Sequence, residues 1–321
     1  MVLLQPTLEL ARAHGARQPA LCVRQLTAAT DLPPDAPTWI VYETAEESAV
    51  SSVRSSGRRL APVTGIPDDI DALIVLETDA YAPLMRTIER SSRRDRMVIP
   101  ASPDALVPQR LRSSGAMEAA WETTAAANYV ARCALRGHYL EFGTWYGRSF
   151  IGNYYRFRHW LQGRFYAFDS FDGLSSPLTL ETAYTGGDFA EGAYWCNERS
   201  FKANLDLAGV ARERVRVVAG FYGDTLVCDP AEYDLQPESV SVCVVDCDLR
   251  EPTEQVLRFV TPLLEPGALI YFDDWRLTRA SSVVGERAAA LQWLDANPDV
   301  ELIEFERDFW QHQWFIFQRR R

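Results

Sequence analysis

Apolar residues in this chain fall into short continuous runs, and these alternate with segments of helical spacing. In the first hundred residues, Trp39–Tyr42, Ala72–Leu76 and Met97–Ile99 read as strands, with helices over 43–56 and 81–94. The alternation predicts a small α/β layer. Gly57 and Gly65 are isolated turn glycines, so that layer carries no phosphate-binding glycine loop. Residues 100–108, PASPDALVP, have the composition of a linker and divide the chain into residues 1–108 and 109–321.

The second half follows a more regular course. A helix over 115–135 leads into strands over 138–142, 165–168, 214–219, 241–245 and 268–272. Helices are expected over 148–161, 198–209, 253–264 and 282–296, and strands 300–305 and 313–317 close the series as an edge hairpin. The runs YAF, CVV and LIYF are unbroken by polar residues, as strands of a parallel sheet buried on both faces require. The pattern predicts a seven-stranded, mostly parallel α/β sheet. Between 172 and 197 lies a polar and aromatic insertion with Tyr184, Tyr194, Trp195 and paired glycines at 186–187. It reads equally as a substrate lid or as a packed surface loop.

At 321 residues the chain is long enough for two domains. With 47% hydrophobic and 24% charged residues it is a globular protein and not a disordered one. No run approaches the ~18–20 apolar residues of a membrane helix. The start, MVLLQPTLELARAHGAR, has no basic region before an apolar one, so a cytoplasmic location is expected. A net charge of −11 argues against a nucleic-acid backbone or an anionic membrane as partner. Lys202 is the only lysine, a whole-chain bias without meaning for any site. The six cysteines form no C-x-x-C pair and no cysteine–histidine cluster of zinc spacing, and read as reduced structural residues.

Two clusters carry candidate chemistry. The first, EFGTWYGRS, joins a strand to a helix and contains Glu141, Gly143, Thr144, Gly147 and Ser149. Glycines there let backbone approach a ligand, and Asp169 at the end of the next strand is placed to accept ribose hydroxyls. The spacing E-x-G-x-x-x-G is not that of a dinucleotide loop. An acid ahead of the first glycine suits a cationic, hydroxyl-bearing ligand such as S-adenosylmethionine better than a diphosphate.

The second cluster is acidic. Asp246 and Asp248 end one strand, and Asp273 and Asp274 end another. If those strands are neighbours, Asp246, Asp273 and Asp274 converge and repel unless a cation lies among them. An all-oxygen set suits Mg²⁺. The competing reading is that one or two of these acids cap the helices that follow. His138 and His159 lie near the first loop and read as packing or surface residues.

In order, EFGTWYGRS, AFDSFDGL, VVAGFYGDTL, VVDCDLREPTEQVL and PGALIYFDDW resemble the macrocin-type (TylF-like) O-methyltransferases over about residues 115–321. The resemblance implies a class I, Rossmann-like methyltransferase fold and an S-adenosylmethionine- and Mg²⁺-dependent enzyme acting on sugar hydroxyls of natural products. It implies that Glu141, Gly143 and Gly147 line the methionine side of the cofactor, with Thr144 and Ser149 in the same loop. Asp169 and Ser170 would hold the ribose, and Phe221, beside Gly220, would lie near the adenine. Asp246, Asp273 and Asp274 match the metal ligands, and Asp248 matches the general base. The chain departs from the family where D-G-D-x-Y-E-S is D-C-D-L-R-E-P, where G-W-F is Gly220-Phe221-Tyr222 and where D-D-Y is D-D-W. The expected partners are a small-molecule or glycosylated acceptor and further copies of the chain in a homo-oligomer. Two other functions compete: methylation of a phenol or catechol, and a non-catalytic S-adenosylmethionine-binding assembly protein.

Overall fold

Strands Ala72–Val75 and Val240–Val245 are buried at every position, the burial that parallel strands covered on both faces show. Each belongs to a separate sheet. A computed structural model describes residues 4–27, 30, 32–79, 81–91, 93–113, 125–307 and 309–320. The chain divides into two compact units, one comprising Met1–Arg112, Tyr146–Ile151 and Tyr194–Val210, the other Ser113–Trp145, Gly152–Ala193 and Ala211–Arg321. Among the described residues no helix is long and apolar enough to cross a membrane.

Up to residue 113 the elements are α1 (Gln5–Ala13), β1 (Pro19–Leu26), β2 (Trp39–Ala45), α2 (Glu47–Ser55), β3 (Arg59–Pro62), β4 (Ala72–Val75), α3 (Tyr81–Ser91), β5 (Met97–Pro100) and α4 (Gln109–Ser113). The five strands are all parallel, in the order β3-β2-β1-β4-β5. Sequence pattern misses α1, β1 and β3. The central strand β1 starts on Pro19 and is interrupted by Arg24 and Gln25, while β3 is a four-residue edge strand with Arg and Pro at its ends.

The rest of the chain forms α5 (Ala125–Arg132), β6 (His138–Phe142), α6 (Arg148–Phe157), β7 (Phe165–Asp169), α7 (Thr179–Thr185), α8 (Glu198–Ala208), β8 (Val215–Ala219) and α9 (Tyr222–Thr225). It continues with β9 (Val240–Val245), α10 (Arg250–Val260), β10 (Leu264–Phe272), α11 (Gly285–Ala296), β11 (Val300–Glu306) and β12 (Gln313–Arg319). Their seven strands form one sheet in the order β11-β12-β10-β9-β6-β7-β8. Only the β12 pairings, with β10 and with β11, are antiparallel. Residues 115–124 of the expected 115–135 helix lie outside the described residues.

Helix α10 starts at Arg250, three residues before the sequence pattern places it. Pro252 falls in its first turn, where a missing N–H breaks no helical hydrogen bond. Helix α8 belongs to the first unit: Ala203 joins that unit's core, the Ser200 hydroxyl accepts from the Val98 amide (2.8 Å) and Asn204 donates to the Tyr81 hydroxyl (3.0 Å). The first unit thus draws on more of the chain than the linker at 100–108 indicates. The second unit's core is an aromatic layer under β6, β7 and β10, with Phe142 and Phe168 stacked at 4.7 Å.

Candidate active site

The carboxyl ends of β7, β6, β9 and β10 stand side by side, and every aspartate singled out from the sequence lies at or just beyond one of them. In open α/β sheets this is the edge where ligands bind.

Gly143, directly after β6, has φ +86°, and its amide donates to the Phe168 carbonyl (2.9 Å). A Cβ there would come within 1.7 Å of the Asp246 carbonyl oxygen, so glycine is required by the closeness of β9's end. The amide of Asp246 in turn donates to the Phe142 carbonyl (2.9 Å). At the end of β7, Asp169 Oδ2 accepts from the amides of Thr144 (2.7 Å) and Trp145 (2.9 Å) and from the Thr144 hydroxyl (3.2 Å). Its Oδ1 accepts from the Phe171 amide (2.7 Å). Asp169 therefore clamps the loop after β6. Burial raises its pKa, and the three amide donors oppose that shift.

Glu141 is fully buried on β6 and bonds the Tyr139 hydroxyl, which also accepts from Asn153 of α6 (2.8 Å). It stands inside the sheet–helix layer and is not on the exposed face of the loop. Gly147 (φ +94°) and Ser149 fall in the segment that groups with the first unit, where a Gly147 Cβ would meet the Phe201 ring at 3.0 Å. The Ser170 hydroxyl donates to the Gly173 carbonyl (2.8 Å) and closes the turn after β7. Gly220 continues the β7–β8 pairing through a bond to the Asp169 carbonyl (2.9 Å), and Phe221 at the start of α9 is exposed.

Strands β9 and β10 are paired neighbours, Val245 opposite Phe272, so the two acidic ends meet. Asp274 is buried, while Asp246, Asp248 and Asp273 are half-buried. The Asp246 carboxyl is pushed well above the usual range by burial, then by the charges of Asp273, Asp248, Asp274 and Glu286. Asp274 is raised likewise by burial, by Asp248 and Asp273, and by a hydrogen bond with Asp248. Asp248 itself has φ +61°, an unusual conformation for a residue with a Cβ. Among the described residues, no three His, Cys, Asp or Glu side chains are gathered round a common point as the ligands of an ion would be. Carboxylate oxygen is nonetheless the ligand type that a hard cation takes.

Sequence reasoning does not reach the residues that surround these acids. The Tyr271 hydroxyl donates to Asp273 Oδ1 (2.7 Å), and His312 Nε2 lies 3.2 Å from the same oxygen. Gln311 Nε2 donates to Asp274 Oδ1 (3.1 Å). The signal for the last two lay in the register: Gln313 pairs with Phe272, so the residues before it stand beside Asp273 and Asp274. The same β11–β12 connection exposes Phe309 and Trp310. His138 opens β6 at the opposite strand end, its pKa lowered by burial, and His159 is exposed.

The insertion is closed at its base, where the Leu174 amide donates to the Ala193 carbonyl (2.9 Å) and the Gly192 amide donates to the Leu174 carbonyl (2.8 Å). Its helix α7 carries the buried Glu181, whose Oε1 accepts from the amides of Arg250 (2.7 Å) and Gly285 (3.2 Å). Thus the insertion is fastened to the starts of α10 and α11. A cleft of about 510 Å³ lined by Leu178, Arg250, Glu251, Glu254, Gln255 and Arg258 faces solvent on the outer side of α10 and contains none of the four aspartates. All six cysteines are free, four of them buried.

The raised carboxyls make a pH prediction. Burial and mutual repulsion raise Asp246 and Asp274 above their values in the unfolded chain, so above about pH 4 the folded protein binds protons that the unfolded chain releases. Unfolding then releases protons, so stability is greatest at low pH within that window and declines as pH rises through the raised values. The slope is about 1.4 kcal/mol per pH unit for each such proton. Thermal denaturation in EDTA should show Tm falling between pH 5 and 8. A flat Tm in EDTA would show that the acids are not strained in this way.

A mostly parallel seven-stranded sheet whose one antiparallel strand, β12, lies second from an edge, with a glycine loop after β6 and acids beyond the neighbouring strands, defines a class I methyltransferase. The family profile of Macrocin-O-methyltransferase (TylF) matches residues 117–311. The chain belongs to that family and is an S-adenosylmethionine-dependent O-methyltransferase. Among solved structures, the O-methyltransferase NovP is 18% identical with a TM-score of 0.50, over 76% of this chain and 100% of its own. The calicheamicin methyltransferase CalS11 is 22% identical with a TM-score of 0.47, over 59% of this chain and 76% of its own. No curated protein matches the chain in sequence.

Proposed function

We propose that this enzyme methylates a hydroxyl of a sugar or glycosylated metabolite and requires Mg²⁺ to do so. The observation that carries the reading is the meeting of Asp246, Asp248, Asp273 and Asp274 at the ends of two paired strands. The family supports the sugar, and the exposed rings of Phe309 and Trp310 in the β11–β12 connection offer flat apolar faces to one.

In this reading the cofactor lies along the loop after β6, against Gly143, Thr144, Gly147 and Ser149, with Glu141 buried behind it. Asp169 has one more acceptor position on Oδ1 for a ribose hydroxyl, since a carboxylate oxygen carries two lone pairs. Ser170, Gly220 and Phe221 complete the ribose and adenine side. Asp246, Asp273 and Asp274 would hold Mg²⁺, which when bound lowers the pKa of an acceptor hydroxyl and fixes its oxygen. Asp248 takes the hydroxyl proton as the oxygen attacks the sulfonium methyl. Tyr271, Gln311 and His312 orient Asp273 and Asp274 from behind. Residues 1–108 and the insertion shape acceptor choice and assembly.

Methyl transfer from labelled S-adenosylmethionine, with nucleotide sugars, glycosides, phenols and catechols as acceptors, tests the reading. Turnover on a glycosyl acceptor that EDTA abolishes and Mg²⁺ restores is the expected result. Turnover confined to catechols would replace the acceptor class, and full activity in EDTA would remove the metal.

A further inference from the structure

One buried carboxylate at the site takes no part in the chemistry described above. Glu286, the second residue of α11, is fully buried. Its Oε1 accepts from the amide of Cys247 (3.0 Å), and its Oε2 accepts from the amide of Asp274 (2.9 Å). Cys247 lies between Asp246 and Asp248, and Asp274 follows Asp273. A single side chain therefore joins the two acidic strand ends through their backbones, at a point beyond the last β9–β10 strand pair, Val245 with Phe272.

We propose that Glu286 is a positioning residue that sets the spacing and orientation of the two acid-bearing loops, so that Asp246 and Asp248 act together with Asp273 and Asp274. The inference rests on the reading of those four aspartates as the reacting site.

The geometry requires a carboxylate. Two N–H donors converge from opposite loops, and only a side chain with two acceptor oxygens on one rigid plane satisfies both. Glutamine supplies one oxygen and turns an NH₂ donor toward the other amide, so one buried amide loses its partner. Aspartate keeps the charge and both oxygens but is one methylene too short to span the same gap from the same backbone.

The carboxylate is itself held by the fold. Gly285 precedes it at φ +72°, and a Cβ there would meet Thr278 at 2.9 Å, so α11 enters the site by a path that other residues disturb. The Gly285 amide donates to Glu181 of α7 (3.2 Å), which also binds the Arg250 amide at the start of α10. The insertion, the starts of α10 and α11 and the two acid loops thus form one connected set of bonds through two buried carboxylates.

The test compares wild type with Glu286→Gln and Glu286→Asp. Calorimetry with S-adenosylhomocysteine reads the cofactor pocket, Mn²⁺ titration followed by electron paramagnetic resonance reads the acids, and steady-state kinetics read turnover. A group that orients ligating residues in this way changes metal affinity or activity by about 10–100-fold. Both variants should bind S-adenosylhomocysteine within about two-fold of wild type, and their Mn²⁺ affinity and kcat should fall by about ten-fold or more. A merely structural role would lower Tm and leave kcat and Mn²⁺ affinity of the folded fraction unchanged, which would overturn the proposal. Should neither variant fold, amide hydrogen exchange on the wild-type protein decides: slow exchange at Cys247 and Asp274 supports the bridge, and fast exchange at either overturns it. Wild-type activity in EDTA with no Mn²⁺ binding would remove the metal from the function without touching Glu286, whose proposal would then stand or fall on kcat alone.

Discussion

Replacing Asp248 with asparagine is expected to lower kcat by about 10²–10⁴-fold, the range for a lost general base, while S-adenosylhomocysteine still binds. The substitution separates chemistry from folding unusually well. Asp248 sits at φ +61°, a conformation that asparagine adopts more readily than most residues, so the backbone is undisturbed. The side chain keeps its shape, and the amide NH₂ can donate to Asp274, which already shares a hydrogen bond with Asp248. The asparagine protein should therefore be as stable as wild type, or more so, since one of four opposed carboxylates is gone. What it lacks is a group able to accept the proton of the acceptor hydroxyl. Steady-state kinetics beside a thermal melt settle the matter: an unchanged kcat would show that Asp248 is not the base.

The second large effect concerns the backbone under the site. Gly143→Ala should destabilise the protein by about 4 kcal/mol or more, well beyond the ~1 kcal/mol of a typical substitution. The left-handed conformation alone costs a residue with a Cβ about 1–2 kcal/mol. The larger part is overlap, because the new methyl would lie 1.7 Å from the Asp246 carbonyl oxygen. Both sides of that contact are backbone, tied to one another through Phe142 and Phe168, so neither retreats without opening the β6–β9 and β6–β7 pairings. Gly152 is the control. It lies within α6, where a Cβ meets nothing within 4 Å, and alanine there should stabilise by about 0.5–1 kcal/mol. Urea denaturation of both variants measures the difference, and a Gly143→Ala midpoint equal to wild type would refute the account.

How far each feature was legible depends on how local its cause is. The runs YAF, CVV and LIYF of the second sheet are unbroken and apolar, and all seven of its strands lie where the pattern puts them within a few residues. Strand β1 was not legible, because Arg24 and Gln25 near its end give the run a polar break although it is the central strand of its sheet. Helix α10 starts three residues before the expected 253–264, because Pro252 in a first turn breaks no helical hydrogen bond. The four aspartates were found because each ends an apolar run. Glu286 and Gln311 carry no comparable mark: they are ordinary polar residues until a helix and a hairpin bring them to the acids.

The sequence by itself determined the alternation of strands and helices, the glycines and acids that follow the strands, and the membership of the methyltransferase family. All of these depend on residue type and short spacing along one stretch of chain. Only the tertiary structure decided that β9 and β10 are neighbours, that the hairpin returns antiparallel beside β10, and that Asp169 serves the loop after β6. Strand order and register follow from how whole faces bury against each other, and that choice is made among segments tens of residues apart. A carboxylate's partners are fixed by the same choice, so the acid can be read in the sequence and its task only in the fold.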